Sequence, residues 1–262
     1  MENNIDVLDN NYPLLLKLKE GAPGTFSHSK NVASLLETIG VGLKLDIELL
    51  RICGYYHDLG KQLFPKLYIE NQEESDNNPH TELEPNISYK IIHSHIGDTV
   101  QILINDPNIP RKAIEIISQH HGQTIMKSFY RKSKLKNPDN YRYKTTKPQS
   151  IESALLMITD QLEATSKFLS QTGKLNDING LVENVINELI NDEQLDNVEF
   201  TFGKFREIKK ILKNELTANF HKRVDYDEAI DEEDEKEGKS RKSRKSRKRR
   251  KPREDKDVKV LS

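Results

Sequence analysis

Cysteine is nearly missing from this sequence. One residue, Cys53, stands in an apolar stretch beside Ile52 and Gly54. A single thiol cannot close an intrachain disulfide, so a disulfide-stapled fold is excluded and a reducing compartment fits. Long apolar runs are missing too: nowhere do about 18 apolar residues follow one another, the length a spanning helix needs. Residues Met1 to Asn11 are polar and acidic, unlike a signal peptide with its basic head and apolar body. The expectation is a cytoplasmic protein without a transmembrane segment. Charge of one sign is also lacking, because 41 Lys and Arg against 42 Asp and Glu leave a formal charge of -1. No global basic excess points to a nucleic-acid partner. Strand-like alternation is nearly absent, which leaves an all-α fold.

What is present is helical periodicity. Apolar residues recur at helical spacing around 28–40, 46–59, 86–104, 110–121, 150–171, 178–191 and 203–221. The first stretch, with Val32, Leu35, Leu36 and Ile39, is expected to stop at Gly40 in a left-handed cap. Asp46 is a plausible N-cap for the second, and Gly60 is expected to close it. The 262 residues suffice for one helical domain of about 200 residues with a sizeable core. Two polar connections, 71–80 and roughly 132–148, are long enough to serve as substrate-contacting loops or solvated insertions.

Past residue 227 the composition changes. An acidic block, Asp231 to Glu237, precedes a basic one, Lys239 to Lys251, with no apolar residue in either. Such a segment buries too little surface to offset its ordering entropy and is expected to be disordered. The expected organisation is an N-terminal extension over 1–19, a catalytic domain over 20–227 and a charged tail over 228–262. The basic block, 239–251, is a candidate electrostatic contact for nucleic acid or an anionic surface, or a solubilising extension balanced by its acidic neighbour.

The residues that carry chemistry are histidines and aspartates. In Tyr56-His57-Asp58-Leu59-Gly60-Lys61 an imidazole and a carboxylate sit side by side at a helix end. A carboxylate has two oxygens, so Asp58 can bridge two divalent metals while His57 addresses one of them. His120 and His121 precede Gly122 at the end of an apolar-patterned helix, an unusual filling for a core. His95 lies on the apolar stripe of Ser88, Ile92, Ile96, Thr99 and Leu103, whereas His93 points roughly opposite, so His95 is the chosen ligand. Asp160 is embedded in the apolar helix Leu155 to Thr159, where an unpaired carboxylate is costly and asks for a cation or a hydrogen-bond donor. With His28 the set mixes imidazole and carboxylate donors, which suits manganese or iron better than zinc.

The order His28, His57-Asp58, His95, His120-His121, Asp160 resembles the HD superfamily of metal phosphohydrolases. The text around it is similar to one branch, the PgpH-type cyclic di-AMP phosphodiesterases. The strings are Pro23-Gly-Thr-Phe-Ser-His28, Tyr55-Tyr-His-Asp-Leu-Gly-Lys61, Asn78-Pro-His80, Ser94-His95, His120-His-Gly122 and Asp160-Gln-Leu-Glu-Ala164. A closing segment, His221-Lys-Arg-Val-Asp-Tyr226, completes a likeness over about residues 20 to 226. The resemblance implies an HD-type helical bundle holding two divalent metals. His28, His57 and Asp160 would hold the first, His95, His120 and His121 the second, and Asp58 would bridge them. It further implies that Lys61 lies close to the phosphate and that His80 faces the substrate, a cyclic dinucleotide cut to linear pApA. Members of that branch carry an extracellular domain and a seven-helix membrane region, and neither occurs in these 262 residues. Two other readings stand beside this one. The chain could be an HD hydrolase of another nucleotide, such as a different cyclic dinucleotide, a deoxynucleotide triphosphate or an alarmone. It could also be a silent nucleotide-binding HD module, against which the presence of all seven ligand positions argues. An oligomer is compatible with each of them.

Overall fold

A computed structural model describes residues 6–73, 77–134 and 137–218. Residues Met1–Glu215 cluster as one unit and Leu216–Ser262 as another. The expected domain end near residue 227 and the charged tail, with its basic block, lie outside the described residues.

Among the described residues the fold is all-α, with no strand and a single isolated bridge between Ile125 and Arg142. The helices are α1 (Pro13–Gly21), α2 (Pro23–Leu43), α3 (Ile47–Tyr56), α4 (Pro85–Ile104), α5 (Arg111–Ser118), α6 (Lys127–Lys132), α7 (Ile151–Gln171) and α8 (Ile178–Asn191), followed by α9 over 202–218. Proline opens α1, α2 and α4 near the first helical position, where its missing N–H costs nothing. Asp46 caps α3 by accepting from the Leu49 N–H at 3.0 Å, as its position suggested. Ser150 and Ser153 form a reciprocal capping box on α7, and Asp177 caps α8.

Two helix ends differ from expectation. The first helix does not stop at Gly40 but continues to Leu43, and the left-handed residue is Lys44, with φ of 58°. Gly40 instead faces α3 closely: a Cβ there would lie 2.8 Å from Leu50 Cδ1, the end of a side chain that would have to shift. Gly60 likewise closes no helix. The chain leaves α3 at Tyr56 and runs through 3-10 turns at Leu59–Leu63, Pro65–Leu67 and Ile69–Asn71. A Cβ on Gly60 would sit 2.3 Å from the His95 carbonyl oxygen, so only glycine lets this turn press onto α4. Its N–H donates to Thr99 Oγ1 at 2.7 Å, which fixes the segment after His57-Asp58 against the helix carrying His95.

α2, α3, α5 and α7 meet through an apolar interior that includes Leu36, Ile39, Leu50, Ile117, Leu155 and Ile158, all buried. The connection around 132–148 is not a solvated insertion. Its Tyr141 and Tyr143 are buried in a cluster with Tyr89, Ile96 and Met126, so it forms a wall beside α4.

Residues 1–19, read from the sequence as an extension, supply α1. Leu15 and Leu18 are fully buried. The Tyr12 hydroxyl donates to Asp106 at 2.6 Å, and the Tyr56 hydroxyl donates to the Val7 carbonyl at 2.6 Å. The short apolar repeat of Leu14, Leu15, Leu16 and Leu18 gave too little length for a periodicity argument, yet packing recruits it. Leu18→Ala is therefore expected to destabilise the protein by roughly 2–5 kcal/mol, as deletion of a buried leucine side chain does. Urea unfolding followed by circular dichroism measures this, and a change within error would make the segment an appendage after all.

Candidate metal centre

Five segments deliver the expected side chains to one place. His28 comes from the second turn of α2, His57 and Asp58 from the end of α3, His95 from the middle of α4 and Asp160 from α7. His120 and His121 come from the turn after α5. Three of the rings are aimed by the same local device. His57, His95 and His120 each place Nδ1 on the carbonyl three residues earlier, those of Gly54 (2.9 Å), Ile92 and Ile117 (2.7 Å). A carbonyl can only accept, so Nδ1 carries the hydrogen and Nε2 is the nitrogen turned inward, the one a cation would meet.

Asp58 is the hub. Its Oδ2 lies 3.3 Å from His57 Nε2 and 3.7 Å from His28 Nε2, while Oδ1 lies 3.3 Å from His95 Nε2 and 3.9 Å from His120 Nε2. One carboxylate thus looks two ways. Asp160 closes the cage: its Oδ1 is 3.0 Å from His28 Nε2 and its Oδ2 is 3.7 Å from His121 Nδ1. Two sets of donors suit a cation, Asp58 with His95, His120 and His121, and His28 with His57 and Asp58. Asp58 is common to both.

Whether cations fit can be judged from the donors themselves. Asp58 Oδ1, His95 Nε2 and His120 Nε2 are buried without a hydrogen-bond partner. Orphaned buried polar atoms are costly, and three of them converging on one point are satisfied together by a cation. Borderline imidazole and hard carboxylate donors, with no thiolate, fit a divalent cation.

The electrostatics divide the cage. Burial opposes charge on His28, but hydrogen bonds to Asp160 and Glu163 outweigh it and raise its pKa to about 9. Burial likewise opposes charge on His57, and Asp58 and Asp160 lift it to about 10. Across Asp58 the opposite holds. Burial and the neighbouring His57 push His120 down to about 3, and His95 and His121 are also lowered by burial. Both aspartates stay ionised well below the usual carboxylate range. Burial alone would raise them, but Lys61 and His57 hold Asp58 down, and His28 and His57 hold Asp160 down.

Lys61 reaches the cage, with Nζ 2.7 Å from Asp58 Oδ2. It also pairs with Glu70 at 3.0 Å, and Glu70 accepts from Thr25 Oγ1 at 3.1 Å. His80 is not brought to the cage. It is buried in the 3-10 turn Pro79–Thr81, with Nε2 bonded to the Leu67 carbonyl at 2.8 Å and its ring against Phe129. His93, passed over in favour of His95, lies outside, where its Nε2 accepts from the Lys144 N–H.

Three residues of the site went unassigned in the sequence. Glu163 binds His28 Nδ1 at 2.6 Å and follows Asp160 by one helical turn, a spacing that could have revealed it. Tyr143 stacks on His121, with ring centroids 4.3 Å apart and planes 20° from parallel. It lies outside any helix and Glu70 lies in a short 3-10 turn, and in neither place does α-helical periodicity speak.

A family model described as HD domain matches residues 25–165. Among curated relatives, the cyclic-di-AMP phosphodiesterase PgpH of Bacillus subtilis is 36% identical over 229 residues, 86% of this chain and 32% of that protein. The PgpH protein of Listeria monocytogenes is 35% identical over 231 residues, 87% of this chain and 32% of its own length. The chain therefore spans only 32% of the curated relatives' length. Among solved structures, the L. monocytogenes PgpH HD domain superposes with a TM-score of 0.74 at 34% identity, over 80% of this chain and 100% of that one. The same domain in complex with cyclic-di-AMP gives 0.72 at 34% identity, over 80% and 97%. Among the described residues no helix is long and apolar enough to cross a membrane. Every donor of the cage, from His28 to Asp160, falls inside the matched span, and the chain belongs to the HD domain family.

Proposed function

We propose that this chain is a metal-dependent phosphodiesterase that hydrolyses cyclic di-AMP to linear pApA. The observation that carries the reading is Asp58, whose two oxygens face two separate groups of imidazoles in a buried cage. The substrate is supported by the likeness to an HD domain crystallised with cyclic-di-AMP. Two divalent ions, manganese or iron, would supply the positive charge that makes water a nucleophile near neutral pH and that offsets charge on the phosphoryl oxygens.

The chain's own residues do the rest. His28, His57 and Asp160 would hold one ion, His95, His120 and His121 the other, and Asp58 both. The three Nδ1 bonds to backbone carbonyls keep the inward nitrogens aimed without reorganisation. Lys61 places a fixed ammonium beside Asp58, where it offsets charge that develops on the phosphate and the leaving 3′-oxygen. Its two carboxylate partners hold its pKa well above the ordinary range against the effect of burial, so it stays a cation. No thiol competes as nucleophile: Cys53 is buried away from the cage, and burial raises its pKa further.

Two measurements test this reading. Manganese added to chelator-stripped protein at about 100 times its dissociation constant should stabilise the fold by about 2.7 kcal/mol. Thermal unfolding should show that rise in the wild type and not in Asp58→Ala. Incubation with manganese and a panel of cyclic dinucleotides, nucleoside triphosphates and alarmones should convert cyclic di-AMP to pApA. Lys61→Met should lower kcat about 10²–10³-fold, the range for loss of one charge-stabilising group. Metal binding without turnover of any panel member would make the chain a silent HD module, and turnover by Asp58→Ala would remove the proposed site.

A further inference from the structure

We infer that the two halves of the cage bind their cations unequally, and that Glu163 is the positioning residue that makes the His28 half the tighter. This rests on the two-metal reading proposed above. The asymmetry starts with what stands behind each ring. His57, His95 and His120 lean on neutral backbone carbonyls, whereas His28 leans on the Glu163 carboxyl group at 2.6 Å. Both Glu163 oxygens accept hydrogen bonds, Oε2 from His28 Nδ1 and Oε1 from Asn31 Nδ2 at 2.7 Å. With His28 Nε2 turned to the cation in the two-metal reading, Nδ1 carries the hydrogen, and with Asn31 Nδ2 donating to the other oxygen the group is free to act as a carboxylate.

The placement is built into the crossing of α2 and α7. Asn31 follows His28 by one turn on α2, and Glu163 follows Asp160 by one turn on α7. The ligand pair, His28 and Asp160 at 3.0 Å, is thus backed by a second pair, Asn31 and Glu163, one turn deeper. Glu163 is only 3% exposed, which fixes its rotamer and keeps water from screening it.

The number of carboxylates on each side points the same way. The His28 half is bounded by Asp58 and Asp160, with Glu163 behind. The other half has three imidazoles and shares Asp58, and the remaining Asp160 oxygen approaches only as far as His121 at 3.7 Å. A divalent cation is drawn to carboxylates more strongly in buried surroundings than in water. A carboxylate on the far nitrogen of an imidazole also fixes the ring and raises its donor strength. The His28 half therefore fills first, and the His95, His120 and His121 half fills second and empties first to a chelator.

The test is stoichiometric and does not depend on turnover. The 262-residue chain stripped of metal is titrated with manganese, and free ion is read by electron paramagnetic resonance. Wild type should take up two equivalents in two steps, and His121→Ala should lose the weaker one. Glu163→Gln keeps the size and one acceptor but removes the charge. It should weaken the tighter step ~10–100-fold, the usual cost of losing a ligand's outer partner, and leave the weaker step unchanged. Asn31→Ala, which leaves the carboxylate but frees it to turn, should give a smaller loss in the same step. Two equal steps in the wild type, or equal weakening of both steps in Glu163→Gln, would overturn the inference. Uptake of fewer than two ions by the wild type would instead overturn the two-metal reading beneath it.

Discussion

The structure depends on burying one carboxylate, Asp58, among imidazoles that come from separate helices. An isolated ionised group cannot be taken into a protein interior without compensation, because desolvation exceeds what weak contacts return. Asp58 is compensated at Oδ2 by Lys61, His57 and His28, while Oδ1 faces the inward nitrogens of His95 and His120 across a gap that a cation would fill. Each compensating group comes from an element that must then be where it is. The packing of α2, α3, α4, α5 and α7 and the arrangement of the cage are therefore one problem with one solution.

The helices and the donors are legible in the sequence for different reasons. Core helices show themselves because burial imposes a period of 3.6, and α2, α4 and α7 carry that pattern over 20 or 21 residues each. His95 could be separated from His93 on the same argument, since only one of them shares the stripe of Ile96 and Thr99. His57-Asp58 was legible as chemistry rather than as periodicity, from a donor pair at a helix end.

What escaped has a physical cause in each case. α1 is a short helix whose apolar face becomes meaningful only when Tyr56 and Asp106 are near it, contacts nearly 50 and about 95 residues away in the chain. Glu70 sits in a 3-10 turn, where successive side chains follow no stripe. Gly40 and Gly60 read as punctuation because glycine commonly ends helices. Here it serves another of its uses, admitting a neighbouring chain where a Cβ would collide. His80 was singled out by the resemblance alone, and the bond of its ring to the Leu67 carbonyl is a feature that local sequence does not display.

The bonds from His57, His95 and His120 to carbonyls three residues back have a further consequence. Each ring is anchored to its own stretch of backbone, not to a neighbouring element. When the bundle breathes, the imidazoles travel as rigid arms of their helices, so the gap between them widens or narrows while their aim persists. A domain wired this way can release or admit an ion by small shifts of whole segments, with no side chain having to find a new rotamer.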